Sequence, residues 1–349
     1  MPHIELLPTT DRLLRLVDAL AGQPVAMLVD LVADVFVTGT PKRISREAPV
    51  LILSYQGEQL IPGGGANAVA NVAALGGRPL PLGVVGDDPH GLKLLADLES
   101  RGVKTEGILV RHGYRTPTKV RILGGGKHSI KQQIVRYDIE EKLELTEGER
   151  DHFWGLLARW AGDLKVAILS DYGYGAVEPG MLPRVRAALG DRATLVADSR
   201  YRLSDFVGLD GATPNEEEAE ALLGSAINDD PERLEVAGSL LRERLGARFL
   251  LITRGSRGMS LFRPHTSAHL PVSGTDQVAD VTGAGDTVIG TFALTLAAGG
   301  TPLEAALLAN YAGGVVVMKM GTATCSPEEL RRAVATDPRP LEELRWGPF

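Results

Sequence analysis

Short apolar runs alternate with amphipathic segments along most of this chain. Runs rich in apolar and β-branched residues predict buried strands at 25–29, 82–85, 166–169, 194–197 and 249–252. Between them we predict helices, among them 66–75, which is built from small residues, and 92–101. Strands that alternate with helices in this way indicate βαβ units, and therefore an α/β fold with a mostly parallel central sheet. Ligands of such sheets bind beyond the carboxyl ends of the strands, where this chain carries Asp171, Asp198 and Thr253.

Two segments, 35–60 and 116–138, lack helical spacing and are rich in β-branched residues, arginine and turn formers. We predict that they form a small accessory β-sheet, which acts as a lid on the main fold. The alternative is two long surface loops, but structureless loops of this length are uncommon in compact domains. The predicted organisation is an amphipathic N-terminal extension (1–24), a main domain with the lid (25–332) and a C-terminal tail (333–349).

Composition and net charge argue against some classes of binding partner. The net charge is −7 and the pI about 5.6, which favours neither nucleic acid nor an anionic membrane as a partner. If the substrate carries a phosphate, the positive charge that binds it must be local. The single cysteine excludes an intramolecular disulfide, and 1–24 has neither the apolar core nor the cleavage site of a signal peptide. The apolar stretch 288–298 is too short to span a bilayer, so we expect a cytoplasmic protein.

Residues 280–286 read Asp-Val-Thr-Gly-Ala-Gly-Asp and precede an apolar, small-residue stretch that can form a buried helix. Glycines before a helix allow backbone N–H groups to point at an anion, and the helix dipole favours negative charge there. A carboxylate such as Asp286 is unfavourable at this place unless it has a function, for example as the base that takes a proton from an attacking hydroxyl. The simpler interpretation is a glycine-rich turn in which Asp286 starts the helix.

This heptad resembles the signature of the ribokinase-like, or PfkB-type, sugar kinases. The resemblance implies a three-layer sandwich and ATP-dependent phosphorylation of a sugar hydroxyl. It also implies that Asp286 is the catalytic base and that the amides of Gly283, Ala284 and Gly285 form an anion hole.

Other segments resemble further motifs of this family, in the expected order along the chain. Residues 62–71 resemble its glycine motif, which implies sugar binding by Gly63, Gly64, Gly65 and Asn67. The Asn-x-x-Glu sequence from Asn215 to Glu218 resembles the motif that organises Mg²⁺ around the phosphates, although alone it reads as an acidic helix start. The residues expected on the ATP side are Thr253, Gly255, Gly258, Thr282 and Asn310.

A narrower resemblance is to the heptose 7-phosphate kinases, which also occur as half of a bifunctional enzyme of lipopolysaccharide-precursor synthesis. It rests on residues 43–50, 133–140, 170–175, 281–290 and 321–324, of which the lid segments are not general kinase features. It implies phosphorylation of the anomeric hydroxyl, sugar contacts from Asp34, with Arg136, Asp138 and Asp171 nearby, and a homodimer joined through the lid. We expect any nucleotidyltransferase reaction to need another protein.

The chain departs from that narrower pattern at four places. Residues 29–34 read Val-Asp-Leu-Val-Ala-Asp where Gly-Asp is usual, and Arg46 replaces a proline. Tyr174 and Arg200 stand where lysines are expected, which changes the positive charge beside the substrate. Two alternatives therefore stay open: a kinase of the same fold for another sugar, phosphosugar or nucleoside, and a non-catalytic nucleotide or sugar sensor. The sequence does not decide whether a monovalent cation is needed.

Asp30 and Asp34 suggest a further interpretation, a paired-carboxylate hydrolase site. Both residues leave the same predicted strand, and no second cluster supports the pair, so we do not favour this interpretation.

Overall fold

The computed structural model describes residues 7–126, 131–274 and 279–347. Residues 1–6 of the predicted extension, 127–130 of the second lid segment and 348–349 of the tail lie outside the described residues. The helices are α1 (Thr10–Ala19), α2 (Gly65–Ala74), α3 (Pro89–Ser100), α4 (Glu147–Trp160), α5 (Leu182–Leu189), α6 (Glu216–Leu223), α7 (Pro231–Arg244), α8 (Ala284–Ala297), α9 (Pro302–Val316), α10 (Pro327–Thr336) and α11 (Arg339–Glu342). The strands are β1 (Pro24–Val29), β2 (Leu31–Ile44), β3 (Leu51–Gly64), β4 (Arg78–Gly86), β5 (Ile108–Arg111), β6 (Thr118–Gly124), β7 (Gln132–Ile139), β8 (Val166–Asp171), β9 (Thr194–Ser199), β10 (Gly211–Ala212), β11 (Phe249–Thr253), β12 (Met259–Arg263), β13 (Thr266–Leu270) and β14 (Arg345–Trp346).

A ten-stranded sheet forms the centre of the molecule, in the order β14-β13-β12-β11-β10-β9-β8-β1-β4-β5. The strands from β11 to β5 in this order are parallel, and β12, β13 and β14 form an antiparallel edge. The five strands predicted from apolar runs all lie in the parallel part.

Successive residues of the central strands are buried against opposite helical layers. On β1, Val25 and Met27 belong to the core shared with α1, α2, α8 and α9, whereas Ala26 and Leu28 belong to the core shared with α4, α5 and α7. Strands buried on both faces read as continuous apolar runs, which is why the sequence pattern marked them clearly. The three-layer α/β sandwich is therefore confirmed.

The two segments predicted as a lid form a second, four-stranded sheet in the order β3-β2-β6-β7. Strand β2 pairs antiparallel with β3 and parallel with β6, and β6 pairs antiparallel with β7. The register places Asp34, Lys119 and Asp138 side by side, so these three side chains share one face of the lid. Arg136 lies on this inner face as well, while Val135 and Tyr137 alternate with it on the outer face and are about half exposed.

Both ends of the described chain are integrated in the main body. Helix α1 buries Leu13, Leu16 and Val17 in the core and packs on α10, and β14 pairs with β13 at the edge of the sheet. Among the helices of the described residues, none combines the length and the apolar character that crossing a bilayer requires.

Candidate active site

Helix α8 fixes the position of Asp286 in its first turn. The helix is capped by Gly283, whose backbone is left-handed (φ 79°), and a Cβ atom there would collide with the side-chain nitrogen of Asn67. Beyond the first turn, residues such as Ile289 and Phe292 are fully buried against the core. The side chain of Asp286 is almost inaccessible, at 3% exposure. The glycine thus allows a tight approach of the helix start to α2, which brings Asn67 to Asp286.

The carboxylate of Asp286 accepts one hydrogen bond on each oxygen. Asn67 Nδ2 donates to Oδ2 at 3.0 Å, and the hydroxyl of Tyr172 donates to Oδ1 at 2.7 Å. Asn67 is held in turn, because Asn71 Nδ2 donates to its Oδ1 at 3.1 Å and Thr287 Oγ1 donates to Asn71 Oδ1 at 3.0 Å. Both donors to Asp286 are neutral, so they orient the carboxylate without forming an ion pair.

Burial raises the pKa of Asp286 to about 6, and the hydrogen bonds from Asn67 and Tyr172 act in the opposite direction. A carboxylate with such a pKa is mostly ionised at neutral pH and is basic enough to receive a proton from a hydroxyl in a transition state. Burial, together with the charge of Asp286, holds the pKa of Tyr172 well above its usual value, so Tyr172 remains a donor.

The backbone around Asp286 supplies free N–H groups, but not at all three predicted positions. The N–H of Ala284 donates to the carbonyl oxygen of Val281 at 3.2 Å, which corrects the expectation that its amide points at an anion. Within the described residues, the N–H groups of Gly283 and Gly285 have no such backbone acceptor. Gly285 is exposed, and a Cβ atom there would meet no atom within 4 Å, so this residue borders open space.

This open space is a cavity of about 550 Å³ at the carboxyl ends of the central strands. It is lined by residues from several predicted groups, namely Asp171, Asp198, Arg200, Asn215, Glu218, Thr253 and Gly285. Parallel strands end together at one edge of a sheet, which explains why residues so distant in sequence meet here. The cavity therefore adjoins both the free amide of Gly285 and the predicted magnesium motif.

Asn215 and Glu218 form a capping box at the start of α6. Asn215 Oδ1 accepts from the N–H of Glu218 at 2.8 Å, and Glu218 Oε2 accepts from the N–H of Asn215 at 2.9 Å. The acidic helix start that the sequence suggested is thus present. The same side chains also line the cavity, together with Asp198. Burial is the main cause that holds the pKa of Asp198 well above its usual value, and the negative charge of Glu218 adds to it. The carboxylates of Asp198 and Glu218 repel each other, and the amide oxygen of Asn215 belongs to the same cavity. This set of oxygen atoms fits a hydrated Mg²⁺ ion.

Four of the residues predicted on the ATP side do not line this cavity. Gly255 lies exposed in a 3₁₀ turn after β11, and Gly258 has a left-handed backbone at which a Cβ atom would collide with the carbonyl oxygen of Leu270. Asn310 is buried on α9, and its side chain donates to the carbonyl oxygen of Pro271 at 2.7 Å. Thr282 lies on the lid side of α8, in a separate cavity of about 730 Å³. Of the predicted set only Thr253 reaches the cavity beside Gly285.

On the lid side, Asp34 is buried and forms an ion pair with Arg121. Gly63 lies diagonally across the β2–β3 pair from Asp34, and a Cβ atom on Gly63 would collide with Asp34 Oδ2. A Cβ atom on Gly64 would collide with the side chain of Val32, and a Cβ atom on Gly65 would collide with the carbonyl oxygen of Asp30. The glycines thus allow the lid strands to join the body closely, whether or not a sugar is bound.

Asp30 and Asp171 are buried carboxylates with internal partners. Asp30 accepts from the backbone N–H groups of Tyr172, Tyr174 and Ala176 at 2.8–3.0 Å, and burial raises its pKa to about 6. Asp171 forms an ion pair with Arg202 (2.6 Å) and also accepts from the Ser199 hydroxyl at 2.7 Å. Asp30 therefore anchors the loop that carries Tyr172, and Asp30 and Asp34 do not form the carboxylate pair of a hydrolase.

Comparison with protein families gives a direct assignment. The profile described as "pfkB family carbohydrate kinase" matches residues 27–150 and 192–329, which is more than half of the chain. This chain belongs to the pfkB family of carbohydrate kinases. It is accordingly a phosphotransferase that acts on a sugar hydroxyl, as the heptad around Asp286 predicted.

Several curated relatives of this chain are named bifunctional protein HldE. That of Mesorhizobium japonicum is 37% identical over 333 residues, which cover 94% of this chain and 65% of the relative. That of Pelobacter propionicus is 39% identical over 309 residues, covering 88% of this chain and 62% of the relative. The chain thus spans less than two thirds of the length of these relatives.

Solved structures of other carbohydrate kinases share the fold. Arabidopsis thaliana ribokinase, complexed with ribose and ATP, superimposes with a TM-score of 0.70 at 20% identity, covering 90% of this chain and 99% of that one. Phosphofructokinase-2 from Escherichia coli, in complex with substrates and products, gives a TM-score of 0.72 at 18% identity, covering 90% and 98%. These likenesses confirm the ribokinase-like fold.

Sequence reasoning did not assign roles to several side chains of this pfkB-family site. Tyr172 was visible only as part of a matching segment, and Lys119 and Arg121 only as basic residues in the lid. The sequence signal for these side chains was the alternation within the strands around Asp34 and Lys119. Residues two positions apart in a strand lie on the same face of the sheet. Which strands pair, and in which register, was not readable from the sequence, so these neighbours could not be named.

Proposed function

We propose that this pfkB-family kinase transfers the γ-phosphoryl group of ATP to the anomeric hydroxyl, O1, of D-glycero-β-D-manno-heptose 7-phosphate, a precursor of ADP-heptose. The observation that carries the proposal is the buried Asp286 carboxylate, held by Asn67 and Tyr172 beside the free amide of Gly285. This arrangement offers a base for the hydroxyl and a donor for the phosphoryl oxygens within one turn of α8.

In the proposed reaction, Asp286 accepts the proton of the acceptor hydroxyl as the new O–P bond forms and the bond from the γ-phosphorus to ADP breaks. Each Asp286 oxygen already accepts one hydrogen bond, which leaves a lone pair for the hydroxyl and fixes its direction. The N–H groups of Gly283 and Gly285, at the positive end of α8, stabilise negative charge on the transferred group.

Magnesium fits the cavity on the chemistry of its lining. Asp198, Asn215 and Glu218 offer carboxylate and amide oxygens next to the free amide of Gly285. These residues would hold Mg²⁺ through few direct bonds and several waters, as this ion prefers. The ion would neutralise phosphate charge, and it would relieve the mutual repulsion of the two carboxylates.

The proposed identity of the sugar acceptor rests mainly on residues of the lid. The proposed contacts of the sugar hydroxyls are Asp34, whose carboxylate forms an ion pair with Arg121, and Asn67, which donates to Asp286. The choice of a heptose 7-phosphate is supported by the resemblance of residues 43–50 and 133–140 to heptose 7-phosphate kinases, and by 37–39% identity to proteins named HldE.

A second candidate is a kinase of the same fold that acts on another sugar, phosphosugar or nucleoside. Tyr174 and Arg200 favour it, because both alter the charge expected beside the acceptor. A non-catalytic sensor is less favoured, since such a protein has no need to hold a carboxylate of pKa about 6 between two neutral donors.

We also propose a homodimer joined through the lid. Val135 and Tyr137 on β7 expose about half of their apolar side chains on the outer face, and Tyr55 on β3 exposes 67%. Strand β7 is an edge strand of the lid, so its free backbone groups can pair with a second copy.

An acceptor panel tests the proposed function. ATP turnover is measured with D-glycero-β-D-manno-heptose 7-phosphate, fructose 6-phosphate, ribose, fructose and adenosine. We expect the highest kcat/KM for the heptose phosphate, with the product phosphorylated at O1 by ³¹P NMR. Faster turnover of another acceptor would refute the proposed substrate, and no turnover with any acceptor would favour a sensor.

A further inference from the structure

Asp30 lies where β1, β8 and α2 meet, and only 1% of its surface is exposed. Its N–H donates to the carbonyl oxygen of Ser170, near the end of β8, at 3.1 Å. Its own carbonyl oxygen accepts from the N–H of Gly65, the first residue of α2, also at 3.1 Å. Asn67, one of the two donors to Asp286, lies in the same first turn of α2. The backbone of Asp30 is therefore bonded to the start of the helix that carries Asn67.

The side chain of Asp30 binds the loop that carries the second donor to Asp286. Asp30 Oδ2 accepts from the backbone N–H groups of Tyr172 at 2.8 Å and Tyr174 at 3.0 Å, and Oδ1 accepts from that of Ala176 at 2.8 Å. Both residues in between are glycines with left-handed backbones (φ 81° and 102°), which allows alternate N–H groups to point at one anion. Tyr172 is thus held by its backbone, while its hydroxyl donates to Asp286 at 2.7 Å.

This loop needs a side chain that only accepts hydrogen bonds. An ionised carboxylate offers two oxygens, about four lone-pair directions and no donor. Asparagine has nearly the same shape but a single oxygen, and its nitrogen is a donor. Whichever way an asparagine amide is turned at position 30, its nitrogen would face at least one backbone N–H of the loop. Asp30→Asn therefore disturbs the loop without removing bulk from the core.

We propose that Asp30 is a positioning residue for phosphoryl transfer, which sets the place of Tyr172 and, through its hydroxyl, the orientation of the Asp286 carboxylate. Asp30 lines neither the cavity beside Gly285 nor the cavity on the lid side, so it acts through another residue. The inference rests on the proposed role of Asp286 as the base. The alternative is a structural anchor, which would stabilise the fold and leave the rate of phosphoryl transfer unchanged.

A double-mutant cycle of Asp30→Asn and Tyr172→Phe tests the inference. We expect Asp30→Asn alone to lower kcat about 10-fold, as for the loss of a hydrogen bond to a charged group. KM for ATP and KM for the acceptor should change less than about threefold. In protein that already carries Tyr172→Phe, the same substitution should lower kcat less than about twofold, because the hydroxyl through which Asp30 acts is absent. Effects that multiply in the double variant would refute the inference, and so would an unchanged kcat in Asp30→Asn.

A spectroscopic measurement needs no turnover. In protein labelled with ¹³Cζ-tyrosine, the resonance of Tyr172 is identified among those of the seven tyrosines by its absence in Tyr172→Phe. Asp286→Asn changes the acceptor of the Tyr172 hydroxyl, so it should shift this resonance. We expect Asp30→Asn to shift it in the same direction. An unshifted resonance in Asp30→Asn would contradict a positioning role.

The matched control is Asp210→Asn. Asp210 also accepts from a backbone N–H, that of Leu195 at 2.8 Å, and forms an ion pair with Arg186 at 2.7 Å. It lies by the amino end of β9, whereas the site lies at the carboxyl ends of the strands. Asp210→Asn should lower the melting temperature without lowering kcat or shifting the Tyr172 resonance.

A second variant disturbs the loop and keeps the carboxylate. Gly173→Ala strains a left-handed backbone next to Tyr172, so it should lower kcat and show the same coupling to Tyr172→Phe. It replaces Asp30→Asn in the cycle if that variant does not fold. Effects of Gly173→Ala and Tyr172→Phe that multiply would likewise refute the inference.

The outcomes separate this inference from the proposed function. If Asp286→Asn loses turnover while Asp30→Asn and Tyr172→Phe act independently, the proposed base stands and the positioning role of Asp30 is refuted. Near-normal turnover in Asp286→Asn would instead refute the proposed base and, with it, the catalytic part of this inference. The Tyr172 resonance would still decide whether Asp30 sets the place of Tyr172.

Discussion

At the scale of single residues, the buried carboxylates of this kinase differ in the kind of donor that they contact. Asp30 accepts only backbone N–H groups, and Asp171 is bound by a guanidinium, whereas Asp286 accepts from a neutral amide and a neutral hydroxyl. Neutral donors orient a carboxylate without the strong preference for its ionised form that an arginine imposes. Asp286 therefore combines a fixed geometry with readiness to accept a proton.

Asp286→Asn is expected to lower kcat by at least about 10²–10⁴-fold, because the amide cannot accept the hydroxyl proton. ATP binding by calorimetry and the melting temperature should stay close to wild type, since the Gly285 amide and the fold of α8 are retained. Asp163→Asn, at an exposed carboxylate that lies 3.7 Å from Arg78, is the control and should retain full activity. Near-normal turnover in Asp286→Asn would leave Asp286 with a helix-start role alone.

The pH–rate profile should report the same carboxylate. Because Asp286 must be ionised to act as a base and its pKa is about 6, kcat/KM should fall about tenfold per unit as pH decreases below about 6. The Tyr172 hydroxyl stabilises the ionised form, so Tyr172→Phe should shift this acid limb to higher pH. A limb that does not move in Tyr172→Phe would belong to another group, such as Asp30 or the phosphate of the acceptor.

At the scale of elements, apolar pattern alone located five of the seven parallel strands within a few residues, and it missed the short strands β5 and β10. The predicted helices 66–75 and 92–101 correspond to Gly65–Ala74 and Pro89–Ser100. Strands buried on both faces appear in the sequence as continuous apolar runs, and helix starts appear as capping residues such as Asp88. Both are local signals that can be read directly from the sequence. The contacts Tyr172–Asp286 and Arg121–Asp34 join residues about 90 to 110 positions apart, and no local signal encodes them.

The start of α6 illustrates how one element can carry both a structural and a proposed catalytic role. Glu218→Gln should preserve the capping box, because glutamine can accept from the N–H of Asn215 as glutamate does. It should nevertheless raise the Mg²⁺ concentration needed for half-maximal rate, since a charged oxygen is removed from the cavity. The same exchange in the capping box of α4, Glu149→Gln, is the matched control. An unchanged magnesium titration in Glu218→Gln would restrict this motif to capping.

At the scale of the whole molecule, the lid exposes an apolar outer face on a free sheet edge. The double variant Val135→Glu/Tyr137→Glu should convert the proposed homodimer to a monomer in light scattering at micromolar concentration, because it places charge on that edge. Val236→Glu, at an exposed apolar position on α7, should leave the dimer intact. A wild-type monomer, or a dimer that survives the double variant, would contradict association through the lid.

Strand β7 presents Arg136 and Asp138 to the cleft and Val135 and Tyr137 to the outside, in strict alternation. A dimer formed through the outer residues would hold in place the backbone that carries the inner ones. Subunit association and acceptor affinity would then be thermodynamically linked, and such linkage is reciprocal. If dimerisation strengthens acceptor binding, saturating acceptor should in turn lower the dimer dissociation constant, and sedimentation with and without acceptor would reveal this cooperativity.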